Sequence, residues 1–125
     1  MVRELNGHSV KGEAIQLRVL ALDNPDDSGA SHQFRFERDD GSQVGAINFH
    51  TGVIEPHAGL DVNGVTMEAL IVVMIDRLKG FQKGENPHKQ NDFARKRLEE
   101  ALKALQGRTE ELLEKSKESK EVAVA

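Results

Sequence analysis

The chain contains no cysteine, tryptophan or tyrosine, and five phenylalanines are its only members of the Phe, Trp and Tyr group. Without cysteine, neither a disulfide nor a thiolate metal site can form. A basic excess is missing too: 17 Lys and Arg stand against 21 Asp and Glu, a formal net charge of −4. A general binder of polymeric nucleic acid normally carries a basic face or stripe, so that class is set aside. Any anionic ligand must instead be held by a few local cationic and dipolar groups. The longest wholly apolar run is Ala69 to Ile75, far short of the roughly 20 residues that a membrane helix needs. The opening Met1-Val2-Arg3-Glu4-Leu5-Asn6-Gly7 has no apolar core of a secretory leader, so a cytoplasmic protein is expected.

What is present suits one domain over 1–125, since 125 residues can bury a single core but not two. Ile15, Leu17 and Val19 alternate with Gln16 and Arg18, the period of a half-buried strand. Asn24-Pro25-Asp26-Asp27-Ser28-Gly29 is a turn cluster. Phe34 and Phe36 then alternate with Gln33, Arg35 and Glu37. Asp39-Asp40-Gly41-Ser42 turns the chain into a third strand around Val44 to Phe49, and Thr51-Gly52 leads to a short fourth at Val53 to Glu55. No connection is long enough for a parallel crossover, so the sheet is expected to be an antiparallel meander.

After Asn63-Gly64 the period changes. Met67, Leu70, Ile71, Met74, Ile75, Leu78 and Phe81 recur at helical spacing, with Thr66 available as N-cap. Val72 and Val73 lie off that stripe, which predicts burial on more than one side. Asn86-Pro87 offers a cap and first-turn pair for a second helix, whose inner face would be Ala94, Leu98, Ala101, Leu102, Leu105, Leu112 and Leu113. Arg95–Glu99, Lys96–Glu100 and Glu99–Lys103 would form surface pairs worth about 0.2–0.5 kcal/mol each. The expected fold class is α+β: a small N-terminal antiparallel β-sheet of 3–4 strands over about 1–58, then a two-helix hairpin over about 64–118. The polar end, about 115–125, is expected to fray.

The order Ile47-Asn48-Phe49-His50, Val62-Asn63-Gly64-Val65-Thr66, Ile75-Asp76-Arg77-Leu78-Lys79-Gly80-Phe81-Gln82-Lys83-Gly84, Asn91 and Arg108-Thr109 resembles the Thoeris anti-defence 1 family. These are phage proteins that capture bacterial immune nucleotide signals. The resemblance covers about half the chain closely. It implies that Phe81 stacks on an adenine base, while Asn91 and Arg108 hydrogen-bond the sugar–phosphate part. A basic residue from the sheet completes the pocket, with Arg35 as the candidate and Arg18 as its competitor. The implied ligand is a cyclic ADP-ribose isomer, and related members also take cyclic di- or trinucleotides, sometimes at a separate site of the assembly. Action in the cytoplasm of the infected bacterial host, as a dimer or a hexamer built from dimers, is implied as well. No cofactor, metal or catalytic residue is expected. The family pattern is broken at Glu110-Glu111-Leu112-Leu113-Glu114-Lys115, where members often carry further arginines and a Gly-Val-x-Gly-Thr tail. It is broken again at His50-Thr51-Gly52-Val53, in place of Gln-x-Gly-Pro.

These residue types fit the task. An aromatic face contributes about 1–3 kcal/mol per stacked base, Arg presents a rigid fork to phosphate, and Asn carries both donor and acceptor. Near a helix start, unpaired N–H groups would also favour an anion. Asn91 and Arg108 lie 17 positions apart, so one straight helix separates them by roughly 25 Å. Two copies packed antiparallel would bring them together in two equivalent sites. From periodicity alone, however, Phe81 is the next core residue of a stripe, and Asn91 and Arg108 are ordinary surface positions. A helical-hairpin dimerisation module that binds no nucleotide therefore stands as the alternative. A nucleotide-signal hydrolase is the weaker one. His8, His32, His50, His57 and His88 show no helical zinc spacing, no Gly-x-Ser-x-Gly or phosphate loop occurs, and His50 with His57 is the nearest approach to a metal pair.

Overall fold

Turn chemistry organises the N-terminal unit. In the computed structural model the described residues are 2–13, 17–52 and 62–124, with side chains described as far as 115. They fall into two units, Met1–Thr66 and Met67–Ala125, each taken here by itself. The first holds a four-stranded antiparallel sheet in the order β1-β2-β3-β4: β1 Arg3–Leu5, β2 Arg18–Ala21, β3 Gln33–Glu37 and β4 Gln43–Asn48. Asp23 ends β2 and starts β3, because its carboxylate accepts the amides of His32 (2.9 Å) and Gln33 (2.9 Å). Asp40 accepts Ser42 N at 2.9 Å, and Gly41 takes the positive φ of 87° that the β3–β4 turn requires.

One expectation changes here. The N-terminal edge strand β1 was not anticipated, because Arg3 and Glu4 hide its pattern. It pairs Glu4 with Leu20 and Leu5 with Val19, and polar side chains tie it down: Arg3 Nη2 donates to Ser31 Oγ at 2.9 Å, and Arg18 Nε to Glu4 Oε1 at 3.2 Å. The strand expected at Val53 to Glu55 lies outside the described residues, as do Ala14 to Gln16 at the start of the alternating run before β2. The core of the sheet is Leu20 and Ala21, with Phe34 meeting Phe49 edge to face at 5.6 Å between centroids.

Beyond β4 the chain closes on itself. Phe49 and Val65 form an isolated parallel bridge, in which His50 N donates to Val65 O (2.7 Å) and Val65 N to Asn48 O (2.8 Å). Asn63 clasps the same strand end, accepting Thr51 N at 2.8 Å and donating to Thr51 O at 3.0 Å. Gly64 lets the two backbones approach. A Cβ there would stand 2.4 Å from Asn48 O and 2.6 Å from the Phe49 carbonyl carbon.

The second unit is a helical hairpin, α1 Met67–Lys83 and α2 Lys89–Val124. α1 buries Ile71 and Ile75, and Leu98, Leu102 and Leu105 of α2 are half-buried. Ala101, Leu112 and Leu113, expected inside, are exposed. The reason for the two leucines is length. α1 spans about 25 Å, and Thr109 already reaches its first turn by donating to Glu68 Oε2 at 2.9 Å. Beyond Thr109, α2 has outrun its partner. Val72 and Val73 are likewise exposed, at 51% and 55%, so α1 buries one face only. Arg95 pairs with Glu99 at 2.9 Å as expected, but Glu100 is taken by Arg97 at 3.0 Å instead of by Lys96. The segment expected to fray is helical through Val124, in keeping with its Lys and Glu content.

Candidate functional site

A helix start leaves backbone donors that need acceptors, and the loop between α1 and α2 meets this need in an unexpected way. Asn86-Pro87 is not the cap. His88 is: its Nδ1 accepts Gln90 N at 3.0 Å, and its carbonyl accepts Asn91 N at 3.0 Å. Gln82, in the last turn of α1, reaches across the loop. Its Oε1 accepts His88 N at 2.9 Å and Asn91 Nδ2 at 3.2 Å. The free N–H groups expected beside Asn91 are therefore partly consumed, and Asp92 adds a negative charge to the first turn.

Phe81 neighbours this clasp and is 49% exposed. The Arg77 guanidinium sits 5.3 Å from its ring centroid, a one-turn cation–π pair that occupies one ring face. Phe81 and Asn91 are thus brought to the same end of the hairpin.

Arg108 is not. It sits on the exposed side of α2 beside the Thr109–Glu68 bond and makes no hydrogen bond or ion pair among the described residues. α2 is continuous from Asn91 to Arg108, so their separation along the axis is roughly 25 Å. A single copy cannot bring Arg108 to a small molecule lying on Phe81.

Arg35 belongs to the sheet unit and has work there. Its Nε lies 2.9 Å from Glu37 Oε2, without the alignment of a hydrogen bond, and its Nη2 donates to Gly41 O at 3.4 Å. Arg18 approaches Glu37 Oε1 at 3.5 Å and also binds Glu4, whose hydrogen bond and charge raise the Arg18 pKa. Both arginines offset the carboxylate of Glu37, which is only 9% exposed. Of the proposed metal pair, His57 lies outside the described residues. His50 uses both ring nitrogens, with Asn63 N at 3.1 Å and Gly52 O at 2.9 Å.

Reading by motif passed over Gln82 and His88 as residues with jobs. The usable signal was a demand: the donors at the start of α2 required acceptors, and Gln82 is a polar side chain in the last turn of the preceding helix.

A four-stranded sheet unit followed by a helical hairpin, with an exposed Phe81 at the same end as Asn91, makes this a small α+β protein. No protein-family model matches the chain. Over 74 residues, 59% of its length, it is 38% identical to Thoeris anti-defense 1 of Bacillus phage SBSphiJ7. The match takes in 50% of that phage protein, so the chain spans about half the length of the curated relative it matches. Over those 74 residues the chain is similar to Thoeris anti-defense 1 of that phage.

Proposed function

We propose that this chain is a phage anti-defence sponge that binds cyclic ADP-ribose-type immune signals and holds them intact. Cyclic di- or trinucleotides form a second ligand class for the same kind of assembly. No bond is broken and no cofactor is needed. Stoichiometric capture in the cytoplasm of the infected host lowers free signal below what the host effector requires. The phage relative supports the anti-defence role. The observation that carries the binding reading is the division of labour on the hairpin: Phe81 and Asn91 at one end, and Arg108, without a partner among the described residues, roughly 25 Å along α2 from Asn91. An antiparallel second copy would close two equivalent pockets, each with a base against Phe81 of one copy and a diphosphate on Arg108 of the other. A hexamer of such dimers keeps the same pocket.

Calorimetry against a panel of cyclic ADP-ribose isomers and cyclic oligonucleotides tests the proposal. Ligand recovered unchanged after heat-denaturing the complex marks a sponge, and altered ligand marks a hydrolase. A bound ligand at about 100 times its Kd adds about 2.7 kcal/mol of stability, so no thermal shift with any of the panel points to a plain dimerisation module. The intersubunit arrangement has its own test. Phe81→Ala and Arg108→Ala should each abolish capture, yet mixing and re-equilibrating them should restore it, because a mixed dimer regains one intact pocket. A mixture that captures no more than its parts overturns the two-copy site.

A further inference from the structure

The amide of Asn91 could in principle face either way, since its oxygen and nitrogen are nearly the same size. In the structure the choice is made by Gln82, whose Oε1 receives both Asn91 Nδ2 (3.2 Å) and His88 N (2.9 Å). Both donors belong to the start of α2, and Gln82 belongs to the end of α1, so one oxygen joins the two helices across the loop. Resting on the proposed function, we infer that Gln82 is the positioning residue of the Phe81/Asn91 end, setting which edge of the Asn91 amide meets the ligand.

The chemistry gives the edge an identity. With one N–H spent on Gln82, Asn91 offers Oδ1 and its remaining N–H. A phosphate oxygen only accepts, so it can use the remaining N–H but leaves Oδ1 without a donor. A ribose hydroxyl or an adenine edge both donates and accepts, and satisfies both atoms. Gln82 therefore assigns this end to the nucleoside portion and leaves phosphate to Arg108. His88 matters to the same end, because the His88 N–H bond to Gln82 sets where the helix carrying Asn91 begins.

The test separates the acceptor from the bulk of the side chain. Gln82→Met keeps length and shape but accepts nothing comparable, whereas Gln82→Glu keeps two acceptor oxygens at the same reach. In the ligand-free protein, hydrogen exchange followed by NMR should speed up at the Asn91 side-chain amide and at His88 N–H in the Met variant, and not in the Glu variant. With cyclic ADP-ribose as the probe, Gln82→Met should weaken binding roughly 3- to 10-fold, the loss of one neutral hydrogen bond, while Gln82→Glu restores it. Adding Asn91→Ala to Gln82→Met should then cost less than Asn91→Ala alone, the non-additivity expected of residues acting as a unit. Unchanged exchange at both groups in Gln82→Met, or strictly additive losses in affinity, overturns the inference. If the wild-type chain takes up no nucleotide but the exchange pattern is as stated, the sponge reading fails and the positioning of Asn91 by Gln82 is upheld.

Discussion

Replacing Gly64 by alanine should loosen the end of the sheet unit, and the size of the effect follows from three distances. The new Cβ would lie 2.4 Å from Asn48 O, 2.6 Å from the Phe49 carbonyl carbon and 2.7 Å from His50 N. All three are backbone atoms of one strand end, so no side chain can swing aside. Relief requires the two backbones to separate, and that breaks the bonds from His50 N to Val65 O and from Val65 N to Asn48 O. Overpacking costs about 1–3 kcal/mol, and each lost hydrogen bond about 0.5–1.5 kcal/mol. Since relief of one causes the other, we expect a total near 2–4 kcal/mol. Gly45→Ala in β4 is the matched control. Its Cβ would meet nothing within 4 Å, and alanine in a strand should be neutral or stabilising by about 0.5–1 kcal/mol. The chain has no Trp or Tyr, and helix dominates its far-UV signal, so urea unfolding should be followed by NMR amide peaks of β3 and β4. If Gly64→Ala unfolds at the same urea concentration as Gly45→Ala, the close-approach argument is wrong.

Two further outcomes follow from the polar ties of each unit. Thr109→Val removes the donor to Glu68 Oε2 (2.9 Å) and leaves a half-buried carboxylate without it; a loss of about 1 kcal/mol is expected, read by thermal unfolding at 222 nm, and an unchanged midpoint would remove the bond from the account of the hairpin. Asp26 is held at about 2, below the ordinary 3.8, first by the Ser28 hydroxyl and then by His32 and the Ser28 amide. A depressed carboxyl contributes stability above its unfolded value and loses it as pH falls through the folded one. The sheet unit should therefore weaken as pH drops from about 4 towards 2, and Asp26→Asn should flatten that limb of an acid titration followed by sheet amide peaks. A limb of unchanged steepness would mean that Asp26 does not report on folding.

The α+β class, the strands around Phe34 to Glu37 and Val44 to Phe49, and the start of α1 after Thr66 were legible in the chain, because each rests on local periodicity and on turn formers next to it. So was the spacing that separates Asn91 from Arg108, since a helix converts residue number into distance. β1 was not legible. A three-residue edge strand carrying Arg3 and Glu4 has no pattern of its own, and only cross-strand ties to Ser31 and Arg18 define it. The exposure of Val72, Val73, Leu112 and Leu113 was equally hidden, because periodicity says which face a residue shares but not whether a partner covers it. Local pattern determined β2 to β4 and the two helices, while Phe81, Asn91 and Arg108 stood out only through the family resemblance. Tertiary contact alone decided that Gln82 of α1 turns the Asn91 amide of α2, and that Arg18 of β2 attends to Glu37 of β3. Hydrogen bonds between residues far apart in the chain leave no trace in the order of neighbours.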